Sequence, residues 1–166
     1  MSRVTCRGFT LVELLLVLAL LVIITSMVAP AMSGFIRGQA LDSETRRLFA
    51  LIHAGQSRAV SEGLPIVLWV DEKAGSYGLT AETTPSGGDP KTENLTVDGN
   101  LKIAVVNTGV GDATTFQNLP AIRFLPDGTI DENSPQTLRL TDAKGDALWL
   151  IETRNHTGYE VSDTGK

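Results

Sequence analysis

Cysteine, histidine and aromatic residues are scarce in this chain. There is one cysteine, Cys6, and there are two histidines, His53 and His156. A lone cysteine excludes an intramolecular disulfide, and these three residues cannot supply a zinc-ligand spacing. Any folded domain must hold by packing alone, and Cys6 reads as incidental. No serine nucleophile elbow with its histidine and acid is present. No phosphate loop occurs, and Gly109-Val110-Gly111 is followed by Thr114 where a dinucleotide fingerprint needs a third glycine. These absences predict a chain that is not an enzyme and needs no cofactor. Cations are also few, 14 Lys and Arg against 19 Asp and Glu, for a net charge of −5. An acidic chain lacks the phosphate-neutralising excess that nucleic-acid binding needs, so no nucleic acid is expected as partner. Trp69, Trp149 and Tyr159 read as parts of a sheet, not as a base-stacking platform.

What the chain does have is one long apolar run. Residues 9–29 number 21, and Glu13 is the only charge among them. A helix of that length is about 31 Å long, enough to cross a bilayer's hydrocarbon core. Arg3 and Arg7 precede the run and the next cation is Arg37, which puts the amino terminus in the cytoplasm and the rest outside it. Arg3, Arg7 and Glu13 leave residues 1–29 at +1, so the remainder carries −6. A secretory signal peptide is the rival reading, with Ala29-Pro30-Ala31 as its loose cleavage pattern. Against it stand the length of the run, the charge of Glu13 and the proline between the alanines. A carboxylate inside a membrane helix costs about 2.5 kcal/mol at the centre and less near the end. Glu13 therefore wants a partner: water, headgroups or a cation from another subunit.

Gly8-Phe9-Thr10-Leu11-Val12-Glu13 resembles the processing site of type IV prepilins and type II secretion pseudopilins. In that superfamily a short basic leader ends in Gly, Phe usually follows, and a Glu lies four residues after the Phe. Pro30 falls where pilin helices often carry proline. The resemblance implies that a prepilin peptidase cuts after Gly8, that Phe9 becomes the N-methylated amino terminus, and that Glu13 pairs with the terminal amine of a neighbouring subunit during assembly. The physics agrees, because a matched charge pair is worth far more in low dielectric than in water.

Beyond Pro30 the helical period continues. Phe35, Ile36, Ala40, Leu41, Leu48, Leu51, Ile52, Gly55, Ala59 and Val60 form one apolar stripe, with charged residues mostly on other faces. The pattern predicts a helix from about 9 to 62, bent near Pro30 and Gly34 and stopped by Gly63 and Pro65. Its first half is apolar all round and its second half packs on a domain. His53 lies near the stripe and reads as a partly buried or surface residue. From Pro65 the chain predicts short strands at 66–70, 76–80, 95–97, 101–106, 121–125, 137–141, 147–152 and 158–161. Hairpin turns are expected at 71–75, 142–146 and 154–158, and turns at Asp98-Gly99 and Pro126-Asp127-Gly128. Polar stretches 83–93 and 109–119 read as exposed loops. Asp127, Asp131 and Glu132 cluster at one turn and read as solvated turn acids, not cation ligands.

The fold class is α+β, a long N-terminal helix on an antiparallel β-rich domain. The expected divisions are leader 1–8, transmembrane helix 9–29, amphipathic helix 30–63 and periplasmic β domain 64–166. The passage from the helix end through Glu62-Gly63-Leu64-Pro65 into a strand, and Ile122-Arg123-Phe124-Leu125-Pro126-Asp127-Gly128-Thr129 with its following strands, is similar to the H-type minor pseudopilins. Related minor pilins of type IV pili share these features, while major pseudopilins resemble the chain only in the helix. The resemblance implies a single-pass protein of the bacterial inner membrane with its domain in the periplasm. Its implied partners are other major and minor pseudopilins in a filament, the prepilin peptidase, the inner-membrane assembly platform, membrane lipid and secreted cargo. The alternative is a minor type IV pilin used for pilus assembly or DNA uptake. A membrane-anchored periplasmic enzyme is the third reading, disfavoured by the missing constellations.

Overall fold

The computed structural model describes residues 10–83, 88–107 and 113–165, with the side chains of 27–37 and 107 outside that description. Two compact units form, Met1–Gly38 and Gln39–Lys166. One helix, α1, spans Leu11–Glu62. The expected bend at Pro30 and Gly34 falls among the side chains outside the description. Gly63 ends the helix as expected. It takes φ +65°, and its amide donates to the Ala59 carbonyl at 3.0 Å. A left-handed residue there satisfies an orphan carbonyl of the last turn, and only glycine adopts it without strain.

In the second unit α1 buries Leu41, Leu48, Leu51, Ile52, Gly55 and Ala59, a stripe of three- and four-residue steps. Val60, expected on that stripe, is 55% exposed. It follows Ala59 directly, about 100° further round the helix, and the last turns of the helix bury only Ala59. Thr45 and Glu44 are buried instead. The Thr45 hydroxyl donates to the Leu41 carbonyl at 2.7 Å, and the Glu44 carboxylate accepts from the Tyr77 hydroxyl at 2.7 Å. Each polar group on the stripe thus has the partner that burial demands.

Among the described residues nine strands follow: β1 Ile66–Asp71, β2 Ser76–Ala81, β3 Glu93–Thr96, β4 Leu101–Asn107, β5 Thr115–Phe116, β6 Leu119–Phe124, β7 Thr137–Asp142, β8 Ala147–Glu152 and β9 Tyr159–Ser162. They make two sheets, ordered β3-β2-β1-β6-β5 and β4-β7-β8-β9, with every pairing antiparallel. Leu48 and Ile52 of α1, Leu68 and Leu79 of the first sheet, and Leu138, Leu140 and Leu150 of the second belong to one apolar core. The hairpin turns read from the sequence are present. Asp71 Oδ1 accepts the amides of Lys73 and Ala74, and Asp142 Oδ1 those of Lys144 and Asp146. Short acidic side chains close such turns because they replace backbone acceptors.

The turn at Asp98-Gly99 is present between two strands. The strands flanking it do not form a hairpin: β3 pairs with β2 and β4 with β7, so this turn carries the chain from one sheet to the other. One expectation fails here: the stretch 109–119 is not all loop, because β5 and the start of β6 lie in it. Their link, Gln117-Asn118, has φ +52° and +65°. That is the backbone sense of a two-residue hairpin turn, without the glycine that usually announces one.

Candidate assembly surfaces

The residues singled out by the sequence cluster at the start of α1. Gly8 and Phe9 lie outside the described residues. Thr10 is the helix cap: its hydroxyl accepts the Glu13 amide at 3.3 Å, and its carbonyl accepts the Leu14 amide at 3.2 Å. Glu13 stands in the first turn. A carboxylate is favoured there by the positive end of the helix dipole, by about 0.3–1 kcal/mol. The Thr10-x-x-Glu13 spacing is also that of a capping box. Glu13 therefore has a local reason to be where it is, beyond any partner from outside.

Behind it the helix surface is apolar on every side. Leu11, Val12, Leu14 to Leu18, Leu20 to Ile24 are each between 46% and 76% exposed. Ten or more large apolar side chains facing outward mark a surface that something else covers. Among the described residues no helix is long and apolar enough to cross a membrane. The run read from the sequence extends over 9–29, and Phe9 and the side chains of 27–29 lie outside the description.

In the second unit the polar contacts tie loops to the helix. Asp89 has a side chain only 3% exposed and that of Arg58 is 12% exposed. Arg58 Nη2 donates to Asp89 Oδ1 at 2.7 Å, and the Ala81 amide donates to Oδ2 at 2.8 Å. Glu62 Oε1 accepts from Arg58 Nε at 3.0 Å and from Lys91 Nζ at 2.7 Å. The Arg58 guanidinium, helped by the Lys91 and Ala81 amides and opposed by burial, holds the Asp89 carboxyl far below the usual carboxylate range. Asp89, in the stretch 83–93 read from the sequence as an exposed loop, is thus pinned to the helix. Polar composition hides this, because a buried acid and a solvated acid look alike until their partner is placed.

The remaining candidates have structural partners. Asp127 Oδ1 accepts the Thr129 amide and hydroxyl within its own turn, at 2.9 and 2.7 Å. Asp131 accepts the Asn133 amide at 3.0 Å and faces Arg123 Nη1 at 3.5 Å. Arg123 also pairs closely with Glu82. Among the described residues no group of three or more His, Cys, Asp or Glu is placed to hold a metal ion. His53 is exposed and stacks edge-on against Phe49, ring centres 4.6 Å apart. His156 Nδ1 contacts Glu152 Oε1 at 2.9 Å. Trp69 lies over Gly78, where a Cβ would meet its ring at 2.5 Å, and Arg139 lies over the Trp149 ring at 5.3 Å. The Tyr159 hydroxyl donates to the Pro135 carbonyl, and burial raises its pKa well above the ordinary value.

One long helix, apolar all round at its start and one-sided further on, joined to antiparallel sheets, is the architecture of a pilin-like subunit. The profile of the type II transport protein GspH matches residues 44–157, and that of the prokaryotic N-terminal methylation motif matches residues 3–29. The first match spans well over half the chain, and the chain belongs to the GspH family, the H-type minor pseudopilins of type II secretion. Family members are structural subunits that associate with other pseudopilins in a filament. Two structures of the minor pseudopilin EpsH from the type II secretion system of Vibrio cholerae share the fold. One matches with TM-score 0.55 at 13% identity, covering 76% of this chain and 98% of that one. The other matches with TM-score 0.58 at 14% identity, covering 79% and 98%. No curated protein matches the chain.

Proposed function

We propose that this chain works as a minor pseudopilin by assembly and not by catalysis. It is cut after Gly8, N-methylated on Phe9, held in the bacterial inner membrane by residues 9–29 and displayed in the periplasm through residues 64–166, with 30–63 as the connecting amphipathic helix. Glu13 answers the terminal amine of a neighbouring subunit. The partners are the other pseudopilins, the prepilin peptidase, the assembly platform, lipid and secreted cargo, in a short filament that serves protein export across the outer membrane. The observation that carries this reading is the helix itself. Its first turns expose apolar side chains on every face and carry a single acid at their head. Lipid or neighbouring helices can cover the apolar surface, and a neighbour's cation can answer the acid.

The test is Glu13→Leu in cells that assemble the filament. The variant inserts at least as well as the parent, because the apolar run is improved. Crosslinking to neighbouring subunits drops strongly. Undiminished recruitment of the variant would remove the pairing role from Glu13.

A further inference from the structure

After β9 the chain folds back and covers the tryptophan of the second sheet. In β7 and β8, Leu138, Leu140 and Leu150 are fully buried and face the core. Side chains alternate along a strand, so Arg139 and Trp149, which pair across these two strands, stand on the outer face. There Arg139 Cζ lies 5.3 Å from the centre of the Trp149 ring, and Arg139 Nε is buried with no hydrogen-bond partner among the described residues. Ser162, the last residue of β9, pairs with Trp149 from the other side. Its hydroxyl donates to the Thr164 carbonyl at 2.8 Å and accepts the Thr164 amide at 3.2 Å. That turn sends the chain back over β8 and sets Gly165 against the indole. A Cβ at Gly165 would lie 2.9 Å from both Cη2 and Cζ3 of Trp149, so only a residue without a side chain fits this close. Among the described residues the hydrogen bonds of 163–165 reach Ser162 alone.

We propose that residues 163–165 are a strap over Trp149 that opens without unfolding the sheet beneath it. The closed form is held by one local turn and one ring contact, set against the freedom of three exposed residues. A segment with so few anchors opens far more readily than the core. The strap decides whether Trp149 and Arg139 face the solvent. Tryptophan and arginine are the side chains that most often anchor protein contacts, so the open form offers an anchor that the closed form withholds. This device rests on the fold of the second unit, so it stands or falls independently of the filament reading.

NMR on the full chain in detergent micelles, with glycine and leucine labelled, tests this. Protons held above an aromatic ring move upfield, and the Gly165 signal is identified by its loss in Gly165→Ala. In wild type the Gly165 α-protons lie upfield of a disordered glycine, and Trp149→Leu moves them back. Ser162→Ala removes the hydrogen bonds of the turn and shifts them the same way, while Ser162→Thr keeps the hydroxyl and the upfield position. The leucine methyls report that each variant is folded. On warming, the Gly165 signal moves toward the disordered value before the Leu138 and Leu150 methyls leave their folded positions. A Gly165 signal at the disordered value in wild type, one that Ser162→Ala leaves in place, or one that moves only together with the leucine methyls would overturn the proposal.

Discussion

Arg58 on α1 and Asp89, 31 positions later, form a short ion pair at 2.7 Å in which neither side chain is more than 12% exposed. This pair, with Glu62 and Lys91 beside it, fastens the stretch after β2 to the end of the helix. Removing Asp89 leaves Arg58 with Glu62 as its one carboxylate partner among the described residues and strips the Ala81 amide of its acceptor. Asp89→Leu is expected to destabilise the second unit by about 3–5 kcal/mol. Arg58→Met combined with Asp89→Leu costs much less than the sum of the single changes. Urea unfolding of the full chain in detergent micelles measures this. Because the Asp89 carboxyl is held below its ordinary range, its contribution is complete above about pH 4 and fades as the pH falls further. An acid-unfolding curve that does not steepen in wild type relative to the double variant contradicts this.

Gly55 sets how closely α1 approaches the first sheet. A Cβ there would lie 2.5 Å from Phe124 Cε2 and 2.9 Å from Leu79 Cδ1. Alanine is the better helix former by about 1 kcal/mol. The Phe124 ring is fully buried and cannot swing aside, and overpacking a core costs about 1–3 kcal/mol. Gly55→Ala is therefore expected to lower the melting temperature despite its helix propensity. A raised melting temperature would mean that the helix has room to move.

Glu152 and His156 form a pH-sensitive tie between β8 and the loop that follows it. The Glu152 side chain is 3% exposed. Burial raises its pKa while His156 pulls it down. The His156 pKa is raised by its bond to Glu152, by the charge of Glu152 and more weakly by Glu132. The His156 carbonyl accepts the Ile130 amide at 2.8 Å, so the tie also steadies the crossing between the sheets. A histidine with a raised folded pKa stabilises fully below its unfolded value, about 6.5, and loses that contribution as the pH rises through the folded value. Wild-type stability is expected to fall as the pH rises above about 6.5, and His156→Gln to flatten the fall. A parallel decline in both proteins would place the titration elsewhere.

Much of this was legible in the sequence because it rests on local rules. The helix from Leu11 to Glu62, its stop at Gly63, and the turns at Asp71, Asp127 and Asp142 follow from periodicity, left-handed glycine and acidic turn closure. The basic leader, Gly8-Phe9 and the offset of Glu13 pointed to the family that the profile match supports. What failed to show was long-range. Nothing in Asp98-Gly99 distinguishes a hairpin from a passage between sheets, since that depends on which strand finds β7. The hairpin at Gln117-Asn118 lacks a glycine, and Asp89 looks like any loop acid until Arg58 is brought beside it. Glu44 reads as a surface charge because its partner, the Tyr77 hydroxyl, lies 33 positions away.

The proposed assembly role depends most on the apolar head of α1 staying with the mature chain, since that segment carries the proposed anchor and Glu13, the acid proposed to answer a neighbour. Intact-mass and amino-terminal mass spectrometry of the protein recovered from the membranes of cells with an active prepilin peptidase measures this directly. The expected species begins at N-methylated Phe9, and Gly8→Ala leaves the leader attached. A mature chain beginning at Ala31 or later would discard Glu13 with a signal peptide and contradict the account.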